Sequence, residues 1–407
     1  MSTEAVVYRA YPWRWVVLAS FMFVNLVIQV LWISYAPISA EAARYYGVSE
    51  LAIGFFAMVF MIAYVPLSIP IAWLIDRFGF TRMVGLGSAM MAAFALLRGL
   101  AGPNYTLALV ATVGLAAAQP FFLNSWTKMP AHWHPERERA TAVGLITLSN
   151  LLGIALGMVL TPALAETLSI PTVQLVYAEL TLVAGLLFVL VAREYPKIPA
   201  GHSGPAEKAL MTTGLKAALA HPSFRLFGVV VFIGMGLFNG VTTWIAEIVA
   251  SRGFSAPEAG TMGALILVGG ILGAALIPIL SDRSGSRRPW MLLGIVAAIP
   301  ALLGLAFATD HLIVSVSAFL LGFFLTSVMP VGMQYSTEIT WPVPEGTTNG
   351  LIQLFGQASV VFVFLMDALR GKSGSFAPSL VVAAVLLAGA AALVPFMRES
   401  ERRYGKD

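Results

Sequence analysis

The residues of this chain that could do chemistry are amides, indoles and a few carboxylates, set inside otherwise apolar runs. Asn25, Gln29 and Trp32 stand at i, i+4 and i+7, one face of a helix. Gln119 lies in the middle of another apolar run beside Pro120, with Asn124 and Lys128 beyond it. Asn239, Thr243 and Glu247 follow at i, i+4 and i+8 with Trp244 beside them, and Gln353 and Gln357 are again four apart. Amides donate and accept hydrogen bonds without adding charge, and inside a span such groups face a cavity or another helix. Such a set suits recognition of a small organic molecule. Bond-breaking chemistry would need other groups, and the chain has neither a nucleophile elbow nor a phosphate loop. His132-Trp133-His134 lacks the further ligands a metal would require and reads as an interfacial loop. Cysteine is absent, which excludes disulfides and thiolate metal sites. No cofactor and no enzymatic activity are expected. Among the acids, Glu247 and Glu338 are the candidates for proton coupling, whereas Asp367 is spaced to pair with Arg370 at i, i+3.

The elements that position these residues must lie in a bilayer. Of 407 residues, 58% are hydrophobic and 11% charged, against about 25% charged in soluble domains. The net charge of +4 and the lack of a basic tract argue against a nucleic-acid partner. Apolar stretches long enough to span recur at 13–36, 51–75, 83–100, 105–127, 140–163, 170–192, 223–250, 257–280, 289–308, 311–335, 347–370 and 375–397. The first is long enough to be retained as a span rather than cleaved as a signal. With the N-terminus inside, every Lys and Arg except Arg44, Arg98, Arg252, Arg370 and Lys372 falls on the cytoplasmic side. This bias predicts twelve helices in a cell membrane, inner or plasma, with both termini cytoplasmic. Trp13, Trp15, Trp133, Trp290 and Trp341 fall at cytoplasmic helix ends, as expected of interfacial anchors.

The chain also repeats itself. Asp76-Arg77-Phe78-Gly79-Phe80-Thr81-Arg82 follows the second span and Asp282-Arg283-Ser284-Gly285-Ser286-Arg287-Arg288 follows the eighth, 206 residues later (282−76). Gly144 in the fifth span and Gly350 in the eleventh are separated by the same interval (350−144). A constant offset between independent landmarks indicates a duplicated six-helix unit. The halves expected are 1–192 and 223–407, joined by a cytoplasmic linker over 193–222 whose part from Ala206 to Ala220 reads as an amphipathic helix. In each loop the Gly permits a tight turn and the basic residues hold the cytoplasmic side. The Asp can meet the positive N-terminal end of a helix in the opposite half. The expected pairs are Asp76 with Gly346 and Thr347, and Asp282 with Ala140 and Thr141. Asp76, Arg77, Gly79, Arg82, Asp282, Arg283, Gly285 and Arg288 would then form a cytoplasmic gate, broken when that side opens.

The Asp-Arg-x-Gly pattern resembles the loop signature of the major facilitator superfamily, which implies an all-α fold of twelve transmembrane helices in two pseudo-symmetric halves. More specific stretches are similar to the transporters related to the feline leukaemia virus subgroup C receptor. They are Trp15 to Leu18, Trp32, Tyr35, Tyr46-Gly47-Val48, Met58 to Leu67, Pro70, Trp73-Leu74, Ala118-Gln119 and Glu345 to Leu351 running to Gln357. That family is associated with haem export and with choline and ethanolamine transport. The resemblance implies a pocket in which Trp32, Gln119 and Gln357 occupy matching places, while Asn239 stands where the family has a Tyr.

The expectation is therefore an alternating-access carrier, monomeric, with one small-molecule site between its halves. Its walls would draw on Trp32, Gln119, Asn239 and Gln357, and on Asn25, Gln29, Trp244 and Gln353. A choline- or ethanolamine-like cation is the leading substrate, carried with or without a proton. An exporter of a larger amphiphile such as haem or a drug, and a receptor that does not translocate, are the alternatives.

Overall fold

A computed structural model describes residues 10–200, 211–250, 252–370 and 375–399. They form helices and no strand. In chain order these are α1 (Trp13–Ile33), α2 (Ser39–Tyr46), α3 (Glu50–Phe78), α4 (Phe80–Leu100), α5 (Tyr105–Leu123), α6 (Lys128–Trp133), α7 (Arg139–Ala165) and α8 (Ile170–Val191). There follow α9 (Met211–Ala220), α10 (Pro222–Ala250), α11 (Ala256–Ser284), α12 (Arg288–Phe307), α13 (His311–Thr340), α14 (Glu345–Ala358), α15 (Val361–Ala368) and α16 (Ala377–Leu393). Among the described residues, twelve stretches are long and apolar enough to cross a membrane, in agreement with the sequence count.

Local chemistry sets the boundaries. Asn104 and Asp310 accept from Leu107 N and Ile313 N, each at 3.0 Å, and so begin α5 and α13. Ser255 and Glu258 form a capping box at the start of α11. Gly79 (φ +92°) and Gly285 (φ +64°) end α3 and α11 in backbone conformations that a side chain would strain.

Three features depart from twelve plain rods. The eleventh span is broken, because Ser359 Oγ donates back to Gly356 O and the chain tightens into i to i−3 bonds, with Val360 N on Gln357 O and Phe362 N on Ser359 O. The first and fourth spans run on into the short helices α2 and α6. The predicted linker helix is α9, and the part of that prediction over 206–210 lies outside the described residues.

Contacts divide the chain into two compact units. Unit 1 comprises Met1–Ala142, Ser149–Met211 and Pro344–Leu351; unit 2 comprises Val143–Leu148, Thr212–Val343 and Ile352–Asp407. Each therefore contains a short segment belonging to the other half of the sequence. Inside unit 1, Gly185 lies against Ser88 and Gly99 against Leu175, drawing α4 and α8 together. Inside unit 2, Gly269 and Gly273 lie on the Phe319 and Phe323 carbonyls, and Gly322 lies on the Ile266 carbonyl. Small residues let these backbones approach without lipid between them.

Candidate functional site

In unit 1, Tyr64, Ser68, Ala72 and Asp76 share one face of α3 at four-residue spacing. The Asp76 carboxylate receives four donors: Gly346 N at 3.0 Å, Thr347 N at 2.8 Å, Thr347 Oγ1 at 2.8 Å and Lys128 Nζ at 2.9 Å. Gly346 and Thr347 are in the first turn of α14, so the carboxylate sits on orphan N–H groups at the positive end of a helix. Lys128 is buried and also donates to Ile75 O at 2.9 Å. A Cβ on Gly346 would stand 2.7 Å from Asp76 Oδ1, so the contact requires glycine there. A Cβ on Gly350, one turn further, would stand 2.9 Å from the Ala72 Cβ.

Unit 2 repeats this arrangement at the same offset. Gly144 lies against Ala274 O and Pro278, which are 206 residues beyond Ser68 and Ala72 (274−68, 278−72). Asp282 is bound by Arg287 Nη1 at 2.7 Å, and Arg287 Nη2 lies 3.0 Å from Glu338 Oε1. Arg287 is almost fully buried and was absent from the predicted gate set. The other basic residues of that set are peripheral. Arg77 stacks on Trp73 and Phe78, Arg82 and Arg283 are exposed, and Arg288 donates to Pro395 O at 2.7 Å.

Two further acids were missed. Glu194 accepts from Phe80 N and Thr81 N at 3.1 and 2.9 Å, sealing the start of α4, and a Cβ on Gly79 would collide with this carboxylate. Glu399 accepts from Arg287 N and Arg288 N at 2.9 and 3.3 Å at the start of α12. Each is more than 110 residues from its partners, so no local pattern could reveal it.

The intramembrane candidates separate by how their polar atoms are used. Asn25 is removed from the substrate set: it is fully buried, donates to Phe21 O at 2.9 Å and accepts from Trp126 Nε1 at 2.8 Å. Gln29 Nε2 is bound to Asn150 Oδ1 at 2.6 Å, bridging α1 and α7. Trp32 keeps its ring half-buried while its N–H donates to Ala57 O at 3.1 Å. Trp244 donates to Val363 O at 2.9 Å and leans on Phe376, which is packing rather than an open aromatic face. By contrast, the side-chain amides of Gln119, Asn239, Gln353 and Gln357 make no hydrogen bond to any described residue. Gln119 and Gln353 are buried, and Gln357 stands in the tightened turn between α14 and α15.

The acids sort in the same way. The Glu338 carboxylate, the other proton-coupling candidate of the sequence, is held by Arg287 and by Gln334 Nε2 (3.0 Å). Glu247 Oε2 is buried without a partner. Asp367 has no ion pair among the described residues, and Arg370 lies over the Phe376 ring instead. His132 and His134 are buried at α6 rather than forming an interfacial loop, His132 Nδ1 lying 3.0 Å from Glu194 O. Trp133 is likewise buried, donating to Arg193 O at 2.8 Å. Arg98, assigned by sequence to the non-cytoplasmic set, is buried and donates to Leu31 O and Ser34 Oγ at the end of α1.

The model of the Major Facilitator Superfamily matches residues 16–273 and 245–407. The chain belongs to that superfamily. Within it, the chain is related to the FLVCR proteins. It is 29% identical over 415 residues to the choline/ethanolamine transporter FLVCR2 of Rattus norvegicus, covering 96% of this chain and 75% of the relative. The human FLVCR2 is 27% identical over 412 residues, covering 96% and 78%. The superfamily fold is shared with a crystal structure of the E. coli fucose:proton symporter FucP (TM-score 0.79, 16% identity, covering 96% and 100%). It is shared too with a bacterial homologue of the iron transporter ferroportin (TM-score 0.72, 15% identity, covering 95% and 99%). The protein is a multi-pass membrane transporter of that superfamily.

Proposed function

We propose that this superfamily member carries a choline- or ethanolamine-like organic cation by alternating access. The observation that carries the reading is the unspent amides of Gln119 and Gln357 together with the half-buried Trp32 ring. An indole face attracts a quaternary ammonium, and a free amide accepts a hydroxyl without imposing charge. The relatives named as choline/ethanolamine transporters support the same class. Asn239 and Gln353 are proposed as secondary polar contacts, and Glu247 as the carboxylate for any proton coupling. The repeat is proposed to run over 1–192 and 223–407 with 193–222 as linker. The bonds from α14 to Asp76 are proposed to break and re-form in each cycle, with the Asp282 loop as their counterpart. A monomer in the cell membrane with both termini cytoplasmic, without enzymatic activity or nucleic-acid partner, completes the reading.

The test is binding and counterflow with purified protein in liposomes. Choline or ethanolamine should raise the melting temperature and exchange across the bilayer, and Trp32→Ala should abolish both effects. A shift given only by haem, and retained in Trp32→Ala, would instead support the amphiphile exporter. Repeating counterflow with and without a pH gradient separates facilitated from proton-coupled transport.

A further inference from the structure

Next to the Asp76 contact, a second set of buried polar bonds between α3, the end of α5 and α14 converges on Asn124. It follows the last residue of α5, five positions beyond Gln119, and is fully buried. Its side-chain oxygen accepts from Tyr64 Oη at 2.7 Å, and its Nδ2 donates to Ser68 O at 2.8 Å. Its backbone oxygen accepts from Asn349 Nδ2 at 3.3 Å, and the same Asn349 amide donates to Thr127 Oγ1 at 2.5 Å. Ser68 Oγ in turn donates to Gly350 O at 3.0 Å. One residue thus joins the end of α5, the polar face of α3 and the first turns of α14. Asn349 Oδ1 is left buried without a partner, so this arrangement does not satisfy every group that it buries.

We propose that Asn124 is a positioning residue that couples substrate contact at Gln119 to release of the α14 start from α3. The inference rests on the proposed role of Gln119. Both residues lie on α5 or its cap, about 7.5 Å apart along the axis at 1.5 Å per residue. A displacement of α5 by bound substrate would move Asn124 with it. That displacement strains the bonds to Tyr64, Ser68 and Asn349 together, whereas the three bonds from Gly346 and Thr347 to Asp76 hold the far end of the same interface.

The experiment uses the full chain, whose natural lack of cysteine allows a single reporter without background substitutions. Thr348, fully buried in the first turns of α14, is replaced by Cys, and its maleimide labelling rate reports release. Choline is the probe. In Asn124→Leu the choline Kd should stay within about threefold of wild type while counterflow falls by at least about tenfold. Labelling of T348C should speed by about fivefold or more and lose its response to choline. Equal losses in affinity and turnover, or labelling and transport both at wild-type level, would overturn the proposal. Should Asn124→Leu fail to fold, Tyr64→Phe removes a single O–H and should move labelling and turnover in the same direction by a smaller factor. No change in that variant would overturn the proposal as well. Failure of the cation reading looks different: choline then leaves wild-type binding and labelling unaffected, although Asn124→Leu still speeds labelling.

Discussion

Replacing Asp76 by Asn tests the contact on which the transport cycle is proposed to turn. The substitution preserves shape but converts one carboxylate oxygen into an NH2 group facing N–H and O–H donors. Oδ2 receives Thr347 N and Thr347 Oγ1; Oδ1 receives Gly346 N and Lys128 Nζ. Whichever oxygen is lost, two charge-assisted bonds go with it, each worth about 1.5–3 kcal/mol. The Lys128 bond lies between α6 and α3 and survives release of α14, so it bears on stability rather than on the opening equilibrium. The bonds to Gly346 and Thr347 disappear on release, and their weakening should favour the released state by about 3 kcal/mol, roughly a hundredfold in population. Hydrogen exchange at the amides of 345–350 measures that population directly. Exchange should accelerate by about two orders of magnitude, with transport slowed. Adding Lys128→Met should recover the melting temperature by removing the unpaired buried cation, and leave exchange fast. Wild-type exchange together with wild-type transport in Asp76→Asn would refute the reasoning.

Other outcomes follow from the same geometry. Gln119→Leu and Gln357→Leu should each weaken choline binding by about tenfold, the worth of one hydrogen bond, with little change in melting temperature; Asn25→Leu should do the reverse. In counterflow driven by a pH gradient, Glu247→Gln should abolish the response if a proton is carried, and a wild-type protein indifferent to the gradient removes Glu247 from the mechanism. Gly144→Ala would push a Cβ into the Ala274 carbonyl and should cost about 1–3 kcal/mol of stability, read as a lower melting temperature. Burial holds the His134 imidazole below its ordinary pKa, against the opposing pull of Glu138. Below about pH 6.5 the unfolded chain takes up a proton that the folded one refuses, so the melting temperature should fall from pH 7 towards 5. His134→Gln should flatten that slope.

Sequence alone carried the membrane solvent, the twelve spans and the internal repeat, because each is written in composition or in a fixed interval. The affinity of a loop carboxylate for a helix N-terminus also pointed to the contact that Asp76 makes with Gly346 and Thr347. A loop acid and a Gly-Thr helix start are both local patterns, and a duplicated fold constrains where they meet. What the tertiary structure alone decided is which polar groups are already spent. Asn25 and Gln119 look alike in sequence, each an amide in an apolar run. Trp126 occupies the first, whereas no described residue bonds the second. Likewise Glu338 and Glu247 are both acids near helix ends, and only the folded chain shows that Arg287 neutralises one of them. The partners that distinguish these pairs, Trp126 for Asn25 and Arg287 for Glu338, lie more than fifty residues away in the chain, so spacing does not encode them. The partners of Glu194, Glu399 and Asn124 are distant for the same reason, and the roles proposed for these residues rest on the fold.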